Sequence, residues 1–195
     1  MARLPLSYFG DPILAQKGDP VTQFGEPLQR LADDMLRTME RENGVGLAAQ
    51  QVGKALSLFV ADFKPDAAEE AAARCLINGK PAPLKLALPL IAANPSLELL
   101  DGDWMLYEEG CLSFPDIRGE VARPERVRLT YQNADGESQT LETGGFLARI
   151  IQHEFDHTQG IVFVDRMESD VLAPIEGKLK KLKRRTRDSL KAHKK

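Results

Sequence analysis

Two of the chain's three histidines fall in Gln152-His153-Glu154-Phe155-Asp156-His157, and this spacing constrains the fold more than any other feature. Residues four apart share a face of a helix, so both imidazoles can reach one metal ion if this segment is helical. Glu154, next to the first histidine, is placed to handle protons for a metal-activated water. Phe146, Ile150, His153 and His157 line one stripe at i, i+4, i+7 and i+11. So apolar a helix is central to a fold, where imidazoles need partners, and a metal satisfies both; two core histidines bonded to carbonyls are the alternative. The helix is expected over Gly145–Thr158, with Gly160 as its stop.

The rest of the pattern is that of one soluble α+β domain spanning 1–195, long enough to bury a core. A helix is expected from Glu26 to Arg41, where Leu28, Leu31, Met35 and Met39 recur at helical spacing behind Pro27. Leu56–Phe63 reads as a buried strand, and Leu97–Leu100, Val127–Tyr131 and Gln139–Leu141 as further strands, the last pair joined by Asn133-Ala134-Asp135-Gly136. Residues 64–92, Ala/Glu-rich and then proline-rich, read as a long, partly helical surface excursion. No apolar run approaches the ~20 residues of a membrane span. The first residues lack a signal-peptide core, so the expected location is cytoplasmic. Two cysteines suit a reducing compartment, with Cys75 an inert buried thiol and a Cys75–Cys111 disulfide disfavoured.

Two histidines leave a catalytic metal short of its usual third protein ligand. A third histidine just beyond Gly160 is ruled out, because that position is Phe163. Glu168 and Glu176 are acidic candidates, although Glu176 belongs to a strongly basic segment. Cys111, in the loop Glu109-Gly110-Cys111-Leu112-Ser113, offers a thiolate and a His2Cys site with an open position for water. Taken alone, Cys111 is as well read as a small buried hydrophobe. A third segment, Gly44-Val45-Gly46-Leu47-Ala48-Ala49-Gln50-Gln51, leaves backbone open to close approach and supplies the Gln51 amide. It lacks the Gly-Lys-Ser/Thr ending of a phosphate loop.

Together these three segments, in this order, resemble the peptide deformylase family, whose motifs are G-x-G-L-A-A-x-Q, E-G-C-L-S and H-E-x-D-H. The resemblance covers most of the chain and implies twisted, mostly antiparallel sheets packed around a central metal-binding helix, with a C-terminal helix. It implies that Cys111, His153 and His157 hold one divalent metal ion, typically Fe2+ and replaceable by Zn2+, Ni2+ or Co2+. The substrate it implies is the formyl-methionine end of newly made polypeptides. By the same resemblance, Glu154 would take the proton of the attacking water and pass it to the departing amine, while Gln51 and the Leu112 N–H would face the oxyanion. Substrate backbone is expected to pair like an added strand against Gly46 and its neighbours, with Glu109 and Gly110 also among the substrate-binding residues. Its methionine side chain would enter a pocket walled by Val45, Phe146, Ile150 and the ring of His153. Arg118 matches a peptide-gripping position and is equally an ordinary surface arginine. Arg149 faces the pocket, with its stem on the wall and its guanidinium in solvent; a substrate contact or a pair with Glu109 is the alternative. Residues 64–92 exceed the usual family length.

Charge is asymmetric. Lys178–Lys195 carries ten Lys/Arg against one acid, about +9, whereas the remaining 16 basic and 28 acidic residues give −12. A basic C-terminal helix (about 174–195) on an acidic body points to an anionic partner for that helix alone. With nascent chains as substrate, the expected partner is the ribosome, in transient contact, with no membrane and no specific DNA. Two other readings stay open at this stage, the first within the same class and the second from another. A zinc endopeptidase would cut internal bonds of unformylated peptides; a non-catalytic relative would bind the ribosome but release no formate.

Overall fold

The computed structural model describes residues 3–192. Helix α1 (Glu26–Arg41) has the expected bounds, with Pro27 in the first turn, where its missing N–H costs nothing. Strand β1 (Gly46–Ala48) follows, then a 3-10 turn over Ala49–Val52 and strand β2 (Leu58–Ala61). Helix α2 (Ala67–Ala73) and the short strands β3 (Leu76–Ile77) and β4 (Lys80–Pro81) lead to the ten-residue β5 (Leu90–Leu99). Strands β6 (Trp104–Gly110), β7 (Arg118–Pro124), β8 (Arg126–Gln132) and β9 (Ser138–Gly144) precede α3 (Gly145–Thr158). Helices α4 (Ser169–Leu172) and α5 (Glu176–Ala192) complete the chain.

Seven strands form one sheet in the order β1-β2-β5-β8-β9-β3-β4, every pair antiparallel. β6 and β7 form a separate two-stranded sheet. Strands β1 and β2 are buried on both faces, which is why Leu58–Ala61 is apolar throughout rather than alternating. Phe59 and Ala61 join the core on the α3 side, with Leu147 and Ile151. Leu58 and Val60 join the core on the α1 side, with Met35 and Met39. The expected arrangement of antiparallel sheets around the histidine helix, followed by a C-terminal helix, is the one found.

Residues 64–92 depart from their reading as a surface excursion. Ala73, Cys75, Leu84 and Leu90 are buried in the same core as α3, and β3 extends the large sheet beyond β9. Pro81 lies on β4 at the sheet's edge, the one place a strand tolerates a missing donor. The strand expected at Leu97 begins at Leu90, and Asn94-Pro95 is a bulge inside it (Asn94 φ 51°). Neither β6 nor β7 was expected. Both cysteines are free thiols. Among the described residues no helix is long and apolar enough to cross a membrane.

Candidate metal centre

Helix α3 starts from Gly144 and Gly145, against which α2 lies so closely that a side chain at Gly145 would meet Ala72. It ends at Gln159, with Gly160 at φ 74° beyond it. His153, Glu154 and His157 are buried on this helix. The loop leaving β6 brings Cys111 to them, and the donor atoms of Cys111, His153 and His157 lie within 4.8 Å of one another. Cys111 Sγ is 3.3 Å from His157 Nε2. Neither acidic alternative belongs to this cluster: Glu176 pairs with Lys180 on exposed α5, and Glu168 sits at the exposed start of α4.

The donor set fits a divalent ion. His153 Nδ1 lies 2.9 Å from Glu109 Oε2, which turns the other ring nitrogen toward Cys111 and His157. Burial opposes a charge on His153, but its hydrogen bonds with Cys111 and Glu109 push it up to about 10. Burial and the neighbouring His153 hold His157 well below the ordinary histidine value. The cluster thus draws in one positive charge and resists a second proton, the behaviour of a cation site. One thiolate and two imidazoles suit Zn2+ or Fe2+ rather than Ca2+ or Mg2+.

Glu154 is beside this donor set without belonging to it. Its Oε2 is buried with no partner among the described residues, and burial pushes its carboxyl up to about 7. Such a group can take and return a proton near neutral pH. Gly46 explains how it fits, since a Cβ there would lie 2.4 Å from Glu154 Oε1. The Gln51 side chain is fixed by accepting from the Ala48 N–H at 2.7 Å, which aims its Nε2 at Cys111 Sγ, 3.3 Å away.

The cluster is at the floor of a cleft of about 620 Å3. Val45, Gly46, Gly110, Leu112, Arg118, Phe146, Arg149 and Ile150 all line it, together with Gln51 and Glu109. Phe146 is half-exposed there and packs edge-on against Phe63, ring centroids 5.1 Å apart. Arg118 is exposed and 3.6 Å from Glu108.

Arg149 differs from its favoured reading. Its guanidinium points inward, donating to Glu109 Oε1 at 2.9 Å and to the Val121 and Met105 carbonyls at 2.8 and 2.5 Å, with the Tyr107 ring 5.4 Å away. These acceptors belong to the sheet β6–β7, which sequence reading did not place beside α3. Glu109 is in turn gripped by Arg123, at 2.7 and 3.0 Å, and Arg123 also donates to Asp156 at 2.7 Å. Arg166 completes the chain on Asp156 at 2.7 Å. Although burial alone would raise it, His153 and Arg123 hold the Glu109 carboxyl far below the usual carboxylate range. Arg123, Asp156 and Arg166 were missed by sequence reasoning. The available signal was Asp156 itself, an acid between two histidines on an otherwise apolar helix.

The profile of the polypeptide deformylase family matches residues 4–172. The chain belongs to that family. It is 42% identical over 189 residues to the peptide deformylase of Opitutus terrae, covering 96% of this chain and 97% of that one. Against the Salinibacter ruber enzyme it is 43% identical over 166 residues, 85% and 81% of the two chains. Among solved structures, the peptide deformylase of Thermotoga maritima superposes with a TM-score of 0.72 at 36% identity, covering 86% of this chain and 99% of that one. Peptide deformylase 1B of Arabidopsis thaliana gives 0.80 at 32%, covering 95% and 93%. Members of the family are metal-dependent hydrolases that remove the N-formyl group from nascent polypeptides, and that is the activity of this chain. The matched region ends at Leu172, before α5.

Proposed function

We propose that Cys111, His153 and His157 hold the metal, Fe2+ in the native enzyme, and that Glu154 is the proton-transfer group of deformylation. A divalent ion there supplies a polarised formyl carbonyl and a more acidic water. The observation that carries the reading is the buried Glu154 carboxyl, its Oε2 without a hydrogen-bond partner among the described residues, directly beside the three converging donors.

The remaining steps follow from side chains and backbone. β1 is the last strand of the large sheet. The carbonyl of Val45, just before it, is used by Asp62, and Leu47 lies opposite Val60 in β2. By alternation, the Gly46 N–H and C=O face the cleft, where an extended peptide can pair with them. The first side chain of that peptide enters between Val45, Phe146 and Ile150, apolar groups that suit methionine. This places the formyl carbon over the three donors. As water adds, Glu154 accepts its proton, and the Gln51 Nε2–H and Leu112 N–H receive the charge developing on oxygen. Glu154 then delivers the proton to the departing nitrogen, giving formate and a free amine.

Helix α5 supports a transient ribosome contact. Its Lys178, Lys181, Arg184, Arg185, Arg187 and Lys191 make up much of the exposed surface. Leu179 anchors it beside Phe163, and Lys183 lies over the Phe9 ring. Formate release from a formyl-Met tripeptide, with metal content measured alongside, tests the reading. A metal-loaded protein that releases no formate would overturn it.

A further inference from the structure

Strand β6 carries four consecutive apolar residues that all remain exposed: Trp104 (66%), Met105 (38%), Leu106 (58%) and Tyr107 (58%). The two faces of the β6–β7 sheet separate their roles. On the inner face, Met105, Tyr107, Glu109, Val121 and Arg123 alternate toward α3, and Tyr107 and Glu109 meet Arg149. On the outer face stand Trp104, Leu106 and Glu108, paired in register with Pro124, Ala122 and Glu120. Glu108 and Glu120 are therefore like charges directly opposite one another; Arg118, 3.6 Å from Glu108, answers one of them, and Glu120 has no ion pair among the described residues. Asp101 and Asp103 add negative charge at the Trp104 end. A contiguous exposed apolar strip with an acidic rim marks an interaction surface.

We propose that this outer face is an extended binding track for the substrate polypeptide beyond its first few residues, favouring segments that combine basic and apolar side chains. The inference rests on the deformylase reading above. Two observations select this occupant. The face is continuous with the cleft, because Glu108 and Arg118 belong to both. Its charge is complementary to a basic chain. Gly110, beside the ligand Cys111, is six residues from Trp104 along β6, or about 20 Å at ~3.4 Å per residue. An extended polypeptide leaving the cleft therefore reaches Trp104 with about its seventh residue.

The test compares kcat/KM on a formyl-Met tripeptide with that on a formyl-Met dodecapeptide carrying lysine and leucine at positions six to ten, at low ionic strength. The wild type is expected to favour the longer peptide severalfold, mostly through KM. Trp104→Ala and Glu120→Gln are expected to lower that preference while leaving tripeptide kinetics unchanged, and added salt to lower it in the wild type. Equal kcat/KM on the two peptides, or a preference that survives both substitutions, overturns the track. A wild type that sediments as a dimer dissociated by Trp104→Glu identifies the face as a self-interface and also overturns it. Absence of formate from the tripeptide would instead strike the deformylase reading itself.

Discussion

At the metal centre, chemistry is divided between residues that look alike in sequence. His153 and Glu154 are neighbours, yet one is held by Glu109 while the other has an oxygen with no partner among the described residues. Replacing Glu154 by Ala should therefore leave fold and metal content intact and lower kcat by ~10²–10⁴, the usual size of a proton-transfer contribution. Metal analysis and formate release on the same sample check this. Cys111 should react with iodoacetamide more slowly in metal-loaded than in metal-free protein, because a ligated thiolate is a poor nucleophile; equal rates would remove it from the ligand set. Gln51→Ala should cost ~10²–10³ in kcat, as loss of one oxyanion donor does. The three motifs made these residues legible. The paths that hold them were not, since Arg123 and Arg149 reach Glu109 across strands that carry no sequence label.

Among elements, the legible ones are those with a single clean period. α1 and α3 show helical spacing, and β8–β9 are joined by Asn133-Ala134-Asp135-Gly136. β6 was hidden because Trp104-Met105-Leu106-Tyr107 does not alternate, its inner and outer faces both being apolar. Residues 64–92 misled because Pro81, Pro83 and Pro89 signal loops, whereas Leu84 and Leu90 beside them are core residues. The sheet β6–β7 is tied to α3 chiefly by buried charge, through Arg123 to Asp156 and Arg149 to Glu109. Arg123→Leu leaves Glu109 and Asp156 with reduced partners in the interior. Loss of one member of a buried pair costs ~3–5 kcal/mol. Denaturant unfolding should record a drop of that order, with weaker metal retention because His153 loses its fixed orientation.

For the whole molecule, net charge sorts by position, with an acidic body and a basic α5. The structure places the cut within α5. Lys183 packs on Phe9 and Gly10, so truncation should begin at Arg184 rather than at Lys183. That truncated protein should retain full activity on short formyl-peptides and lose ribosome binding, and the wild-type binding should fall steeply with salt. Co-sedimentation across a salt series checks this, and unchanged binding at low salt would remove the part of α5 from Arg184 onward from the contact. A final consequence follows from the sheet order β1-β2-β5-β8-β9-β3-β4. β3 has no neighbour on its inner side until β9 emerges, and Gln51 and Cys111 wait for a helix ending at Thr158. No copy of this enzyme can therefore act before its chain has been made through Thr158, so the site is assembled by a late segment closing on early ones rather than by any single stretch.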